Sequence, residues 1–182
     1  MASPLSQLEN FQKNSDFVFL VFYRGHWCPF CLNYIKSLAT LVPSIKAAGG
    51  QPIIITAEDN PSSLDIVREK TGYKDAAISD PCHDLVNDLR RKTLIDLAIT
   101  DRKGYPHGMV QPGVLVLGRE GEVLYSWAIR PSLSNLGGAK DRPLLEEVWR
   151  DVEAVVQGRE KVVKGVYGKQ TFFQGIGMKL FG

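Results

Sequence analysis

The chain has 182 residues, 44% hydrophobic and 23% charged, with a formal net charge of +2. That size and mixture suit one globular domain, and the near-neutral balance excludes the basic stripe expected of a nucleic-acid binder. The longest apolar run, Phe17–Tyr23, is far shorter than the roughly 20 residues of a membrane helix.

Residues 1–15 are polar and read as an arm or short helix. Phe17–Tyr23 is the first strand, apolar on both faces and therefore central in a sheet covered by helices. Arg24-Gly25-His26-Trp27 is a turn, after which Pro29 opens a helix, since its missing N–H costs nothing at the first helical position. Leu32, Ile35, Leu38, Leu41, Val42 and Ile45 recur at helical spacing, Pro43 is expected to kink or split the helix, and Gly49-Gly50 ends it. Pro52–Ala57 is a second buried strand. Asn60 and Pro61 cap and open a helix to Lys70. A short strand, Ala76–Ser79, stops at Asp80-Pro81, and a helix is expected over His83–Leu97. Asp101–Pro112 reads as an irregular loop. Gly113–Leu117 and Glu122–Ala128 form a hairpin, Arg130–Arg142 a polar loop, and Pro143–Gln157 an amphipathic helix.

Two βα units followed by a hairpin give an α/β domain. A central mixed sheet is flanked by helices on both faces, and one domain spans 1–182 with its core at about 15–157. The extension 158–182 carries Tyr167, Phe172, Phe173 and Phe181. Its apolar content leaves the body, a second subunit (a homodimer) or a partner as the surface it covers.

The N-terminus has neither the basic flank nor the apolar stretch of a secretory signal, which points to the cytoplasm. Three cysteines are too few and odd in number for a disulfide scaffold, and in a reducing compartment a close pair signals catalysis or metal. Cys28 sits where a strand-turn meets a helix, and Cys31 lies one turn on, so the two sulfurs share a face and can bridge. A thiol at a helix N-terminus is deprotonated more easily than at its free value of ~8.5, and Arg24 and a protonated His26 would act the same way. Cys28 is thus the expected nucleophile and Cys31 the resolving thiol, with Pro29-Phe30 stiffening the turn. A zinc site would need two such pairs. Cys82-His83 is a poor second one, because adjacent residues rarely chelate one ion together; no metal and no organic cofactor is expected.

The segment Phe22-Tyr23-Arg24-Gly25-His26-Trp27-Cys28-Pro29-Phe30-Cys31 resembles the signature of peroxiredoxin-like proteins, the alkyl hydroperoxide reductase / thiol-specific antioxidant branch of the thioredoxin-fold superfamily. Ser79-Asp80-Pro81 and Gln111–Leu117 followed by Gly121-Glu122-Val123 resemble later parts of that fold, and the similarity covers about 15–157. The resemblance implies a thioredoxin fold. It also implies a cis Gln111–Pro112 bond facing Cys28, with the Gln111 backbone free to pair with a peptide or glutathione, and an apolar wall from Trp27. Three departures stand out. Val21 and Gly25 replace the family's Pro and Thr or Ser, so the hydroxyl that orients a peroxide is missing. Gln111 stands near the family's Arg, leaving Arg24, Arg130 or Arg142 as substitutes. The CxxC is the solution of thioredoxins and glutaredoxins.

These features favour dithiol–disulfide exchange, resupplied with electrons by glutathione or a dithiol reductase. The alternative is thiol peroxidase, in which Cys28 reduces a hydroperoxide and Cys31 or Cys82 resolves the sulfenic acid. A thioredoxin-fold binding or scaffold module is the alternative of another class. Cys82 is an accessory thiol or a small hydrophobe, His107 a proton donor or a solvated loop residue, and Asp80 a turn or cap residue.

Overall fold

A computed structural model describes residues 2–163 and 167–170. A five-stranded sheet runs β3 (Ala76–Ser79), β2 (Gly50–Thr56), β1 (Phe17–Phe22), β6 (Gly113–Gly118) and β7 (Val123–Ala128). Strands β1, β2 and β3 are mutually parallel, whereas β6 is antiparallel to both β1 and β7. This is the mixed sheet expected from two βα units and a hairpin.

The period-2 rule explains why β1 is central. Phe17, Phe19 and Val21 face one apolar cluster, and Val18, Leu20 and Phe22 face the other. Val114 and Val116 of β6 join the first cluster, Leu115 and Leu117 the second. Helices α2 (Pro29–Ala47), α3 (Pro61–Thr71) and α5 (Leu145–Val156) cover the first face; α1 (Pro4–Lys13) and α4 (Asp84–Arg91) cover the second.

Four local details differ from expectation or sharpen it. The N-terminal arm is a true helix, because Ser3 accepts from Ser6 N and Pro4 fills the first position. Helix α2 runs unbroken through Pro43 instead of dividing. Helix α4 ends at Arg91 instead of Leu97, since Thr93 takes a left-handed φ of 55° and Ile95 and Leu97 turn into the second core. The stretch read as an irregular loop carries a two-stranded ribbon, β4 (Ile99–Thr100) with β5 (Met109–Val110). Asp80 caps α4, accepting from Leu85 N and Val86 N.

Of the C-terminal aromatics, Tyr167 packs edge-on to Tyr125 at 5.3 Å, so this part of the extension lies on the body. Phe172, Phe173 and Phe181 fall outside the described residues. Among the described residues no helix is long and apolar enough to cross a membrane.

Candidate active site

The register of β1 sets the site. Phe22 pairs with Ile55 and Gly113 at the carboxyl end of the strand, and Tyr23 N continues to Ile55 O. The chain then turns through 24–27, closed by Cys28 N to Gly25 O at 3.2 Å. Cys28 is the N-cap of α2, and its carbonyl receives Cys31 N and Leu32 N at 3.0 Å each. Both cysteines are free thiols, and both are buried: Cys28 is 2% exposed and Cys31 0%. Their thiols hydrogen-bond to each other.

Arg142 supplies the charge. It comes from the loop before α5, is 0% exposed, and sends Nη2 to Cys31 Sγ and Nη1 to Phe30 O, both at 3.3 Å. Its guanidinium lies 5.4 Å over the Tyr34 ring. No carboxylate pairs with it among the described residues, and its Nε has no partner. An isolated buried cation is costly, and among the described residues the sulfur it touches is the group suited to balance it.

The titration directions agree. Burial acts to raise the Cys31 thiol, but the hydrogen bond from Cys28 and the Arg142 charge outweigh it and hold Cys31 well below its ordinary value. The bond it donates to Cys31, then burial, pushes Cys28 up. Burial pulls the Arg142 guanidinium down, yet the two sulfurs more than restore it. The pair therefore shares one proton, with the negative charge on the inner sulfur. Arg142 on Cys31 Sγ thus favours the inner sulfur as the anion, whereas the helix N-terminus favours Cys28.

The other expected site residues sort as follows. Arg24 is buried beside the pair, with Nε on Gln111 Oε1 at 3.1 Å and Nη2 on Gly137 O at 2.6 Å. His26 does not serve the sulfurs: its Nδ1 lies 2.6 Å from Glu58 Oε1 and its N–H donates to Glu58 Oε2. Trp27 lies partly buried against the core that holds both sulfurs, donates Nε1 to Tyr105 Oη at 2.9 Å, and carries the Arg102 guanidinium 3.4 Å over its ring. Pro29 occupies the first helical position.

Pro112 departs from expectation. No cis peptide bond occurs among the described residues, so the Gln111–Pro112 bond is trans. Nor is Gln111 free to receive a substrate strand. Its N–H is spent on Ala98 O at 2.8 Å, and its side chain ties Arg24 to Thr100 Oγ1. The extra ribbon β4–β5 is what occupies this edge.

Arg130 is exposed and pairs with Asp96, so of the three candidate arginines Arg24 and Arg142 gather at the site and Arg130 does not. Cys82 is exposed and lines a groove of about 660 Å³ with Trp27, Arg102 and His107, beside the pair but not part of it. His83, next to it, turns its ring inward to Gly108 O at 2.9 Å.

Sequence reasoning missed Tyr105. Its hydroxyl donates to Arg24 O and receives Trp27 Nε1, and it fills the space that a Cβ on Gly25 would need. The signal available was the small residue Gly25 itself, in a turn where the related proteins carry a hydroxyl.

The AhpC/TSA family model matches residues 5–126. Among solved structures, a mutant of peroxiredoxin 6 from Arenicola marina superposes with a TM-score of 0.61 at 15% identity, over 81% of this chain and 64% of that one. This chain thus spans less than two thirds of that protein. Peroxidoxin BcpB from Mycobacterium tuberculosis gives 0.59 at 12% identity, covering 83% and 84%. Peroxiredoxin Q from Xanthomonas campestris gives 0.53 at 16%, covering 79% and 82%. At such identities the likeness is one of fold. No curated protein sequence matches the chain.

Proposed function

The chain belongs to the AhpC/TSA family, whose chemistry is thiol-dependent redox, and from that premise we propose that it is an oxidoreductase in which Cys28 and Cys31 cycle between dithiol and disulfide. The observation that carries this reading is the fully buried Arg142, which lies on Cys31 Sγ and pairs with no carboxylate among the described residues.

The pair begins with one proton. As Cys28 attacks a disulfide R–S–S–R′, that proton rests on Cys31, a mixed disulfide Cys28–S–S–R forms, and R′S⁻ leaves. Cys31 passes its proton to R′S⁻, attacks Cys28 Sγ and expels RS⁻, which takes a proton from water. The balance is one disulfide reduced to two thiols and one protein disulfide formed. Arg142, beside Cys31 Sγ, stabilises the Cys31 thiolate that forms when this proton passes to R′S⁻ and so readies it for the second attack. A reducing thiol such as glutathione or a dithiol reductase then restores the pair, as a cytoplasmic location would supply.

The family match favours a second oxidant, a hydroperoxide. Cys28 would take the terminal oxygen as sulfenic acid, releasing an alcohol, and Cys31 would displace that oxygen as water. The missing hydroxyl at Gly25 weighs against efficient peroxide reduction.

One experiment tests both. Reduced protein carrying Cys31→Ser and Cys82→Ser is mixed with oxidised glutathione, and the adduct is mapped by mass spectrometry. A single glutathionyl group on Cys28 is expected, and far slower labelling of Cys31 in the protein carrying Cys28→Ser and Cys82→Ser. Stopped-flow mixing with hydrogen peroxide then shows a fast phase only if hydroperoxide is the oxidant. Absence of both the adduct and the fast phase would sink the redox reading.

A further inference from the structure

The loop that carries Arg142 is tied down from the far end of the chain. Gln170 N donates to Arg142 O at 2.9 Å and Leu144 N donates to Gly168 O at 2.8 Å, making Pro143 and Lys169 an antiparallel bridge. Gly168 N donates to Glu147 Oε2 at 2.6 Å. Beneath this lies Asp151 of α5, 1% exposed, whose carboxylate collects three donors: Val162 N and Val163 N on Oδ1 at 2.8 Å each, and Tyr167 Oη on Oδ2 at 2.6 Å. From the other side, Tyr34 Oη of α2, the helix that carries Cys31, donates to Pro143 O at 2.9 Å. Residues 142–144 are thus clamped between α2 and the returning segment. Asp141, just before, adopts a left-handed φ of 68°, a conformation that persists only where surroundings enforce it.

We infer that segment 167–170, anchored by Asp151, is a strap that holds the Arg142 guanidinium on the thiol pair, so that Asp151 and Gln170 are positioning residues for the cysteine chemistry. The inference rests on the redox reading above and assigns a task to part of the C-terminal extension. Among the described residues this guanidinium has no carboxylate to steer it, and its polar contacts are Phe30 O and Cys31 Sγ. Its place therefore depends on where its backbone is pinned. The charged and titratable groups that interact with the sulfurs are Arg142 from the strapped loop, Arg24 from the turn and Tyr23 after β1, with Tyr34 of α2 beneath the Arg142 guanidinium. Only Arg142 is bound by the strap.

The test is a thiolate titration by ultraviolet absorbance on the full-length reduced protein with Cys82→Ser, so that only the pair reports. Gln170→Pro removes the donor to Arg142 O; Asp151→Ala cuts the anchor at the opposite end. Should one fail to fold, the other carries the test. Each is made with Arg142 intact and with Arg142→Gln. With Arg142 intact, each strap variant is expected to move the titration midpoint up by about one pH unit, a tenfold loss of thiolate below the midpoint. With Arg142→Gln, neither should move it further, because the two changes act through one group. An unmoved midpoint in a folded strap variant, or an equal shift without Arg142, overturns the inference. The titration needs no substrate, so its failure is separable from a failure of the glutathione and peroxide experiments.

Discussion

Replacing Arg142 by Met separates charge from packing at the site. Met keeps an unbranched stem in the buried slot and removes the cation next to Cys31 Sγ. A hydrogen bond to a charged group contributes about 1.5–3 kcal/mol. At 1.36 kcal/mol per unit, the pair should titrate about 1–2 units higher. Full Coulomb attraction between charges about 4 Å apart at an effective dielectric of 20 is ~4 kcal/mol, which bounds the effect from above. Arg142 stabilises the reduced, anionic form, so its loss must favour the disulfide. At ~30 mV per 1.4 kcal/mol the reduction potential should fall by about 30–60 mV. The assay is equilibration against glutathione buffers at pH 7, with the pair quantified by mass after alkylation. Because Met also removes a desolvated charge, the oxidised protein should melt no lower than the parent. A variant with unchanged potential and unchanged thiol midpoint would refute the claim that this guanidinium is the pair's counter-ion.

Gly25→Thr puts back the hydroxyl of the related proteins but drives Cβ into Tyr105 Oη, Glu58 Oε1 and Trp27 Nε1. It should cost about 1–3 kcal/mol in urea unfolding, and Tyr105→Phe should recover only part of it because the Glu58 and Trp27 contacts remain; an unchanged urea midpoint would show that the turn opens freely to take a side chain. Cys82→Ser should leave formation of the Cys28–Cys31 disulfide intact by mass mapping, since Cys82 is exposed and outside the pair. A variant stalled as sulfenic acid would make Cys82 the resolving thiol instead. Asp80→Ala strips the cap from α4 and should destabilise by about 0.5–2 kcal/mol, read as a lower urea midpoint at unchanged slope. For pH, the lowered Cys31 contributes stability above the unfolded thiol value of ~8.5 and loses it as pH falls through the folded value. The raised Cys28 contributes below ~8.5 and loses it as pH rises. The melting temperature of the reduced protein relative to the disulfide form should therefore peak near pH ~8.5, and a flat difference would contradict the assigned directions.

The sheet and the cysteine pair were legible because their signals are local. The run Phe17–Phe22 buries both faces, and Cys28, Pro29 and Cys31 write the helix start directly into the chain. What was not legible depends on contacts between distant residues. Arg142 was one of three arginines that sequence could not rank, because its partner lies 111 positions away. Gln111 looked like an open edge because nothing in its neighbourhood announces that Ile99–Thr100 will pair with Met109–Val110 and hand Ala98 O to its amide. Helix α4 was overextended because Ile95 and Leu97 keep an apolar pattern, though their burial is in an extended segment. The pull on the inner sulfur was hidden for the same reason: helix position favours Cys28, and the cation beside Cys31 arrives from beyond β7.

Charging the inner sulfur has a chemical logic that charging the outer one lacks. Cys28 hands its proton to Cys31 as it attacks, and Cys31, fully buried, must then lose that proton to the leaving thiolate before it can break the mixed disulfide. A guanidinium already beside it stabilises the thiolate so formed. The same guanidinium loses its sulfur counter-charge once the disulfide closes, in a place where no carboxylate among the described residues pairs with it. Oxidation thus strands a buried charge, and reduction relieves it. A pair built this way gives up its disulfide readily, which suits a thiol enzyme that must be reset by small or protein thiols after every turnover.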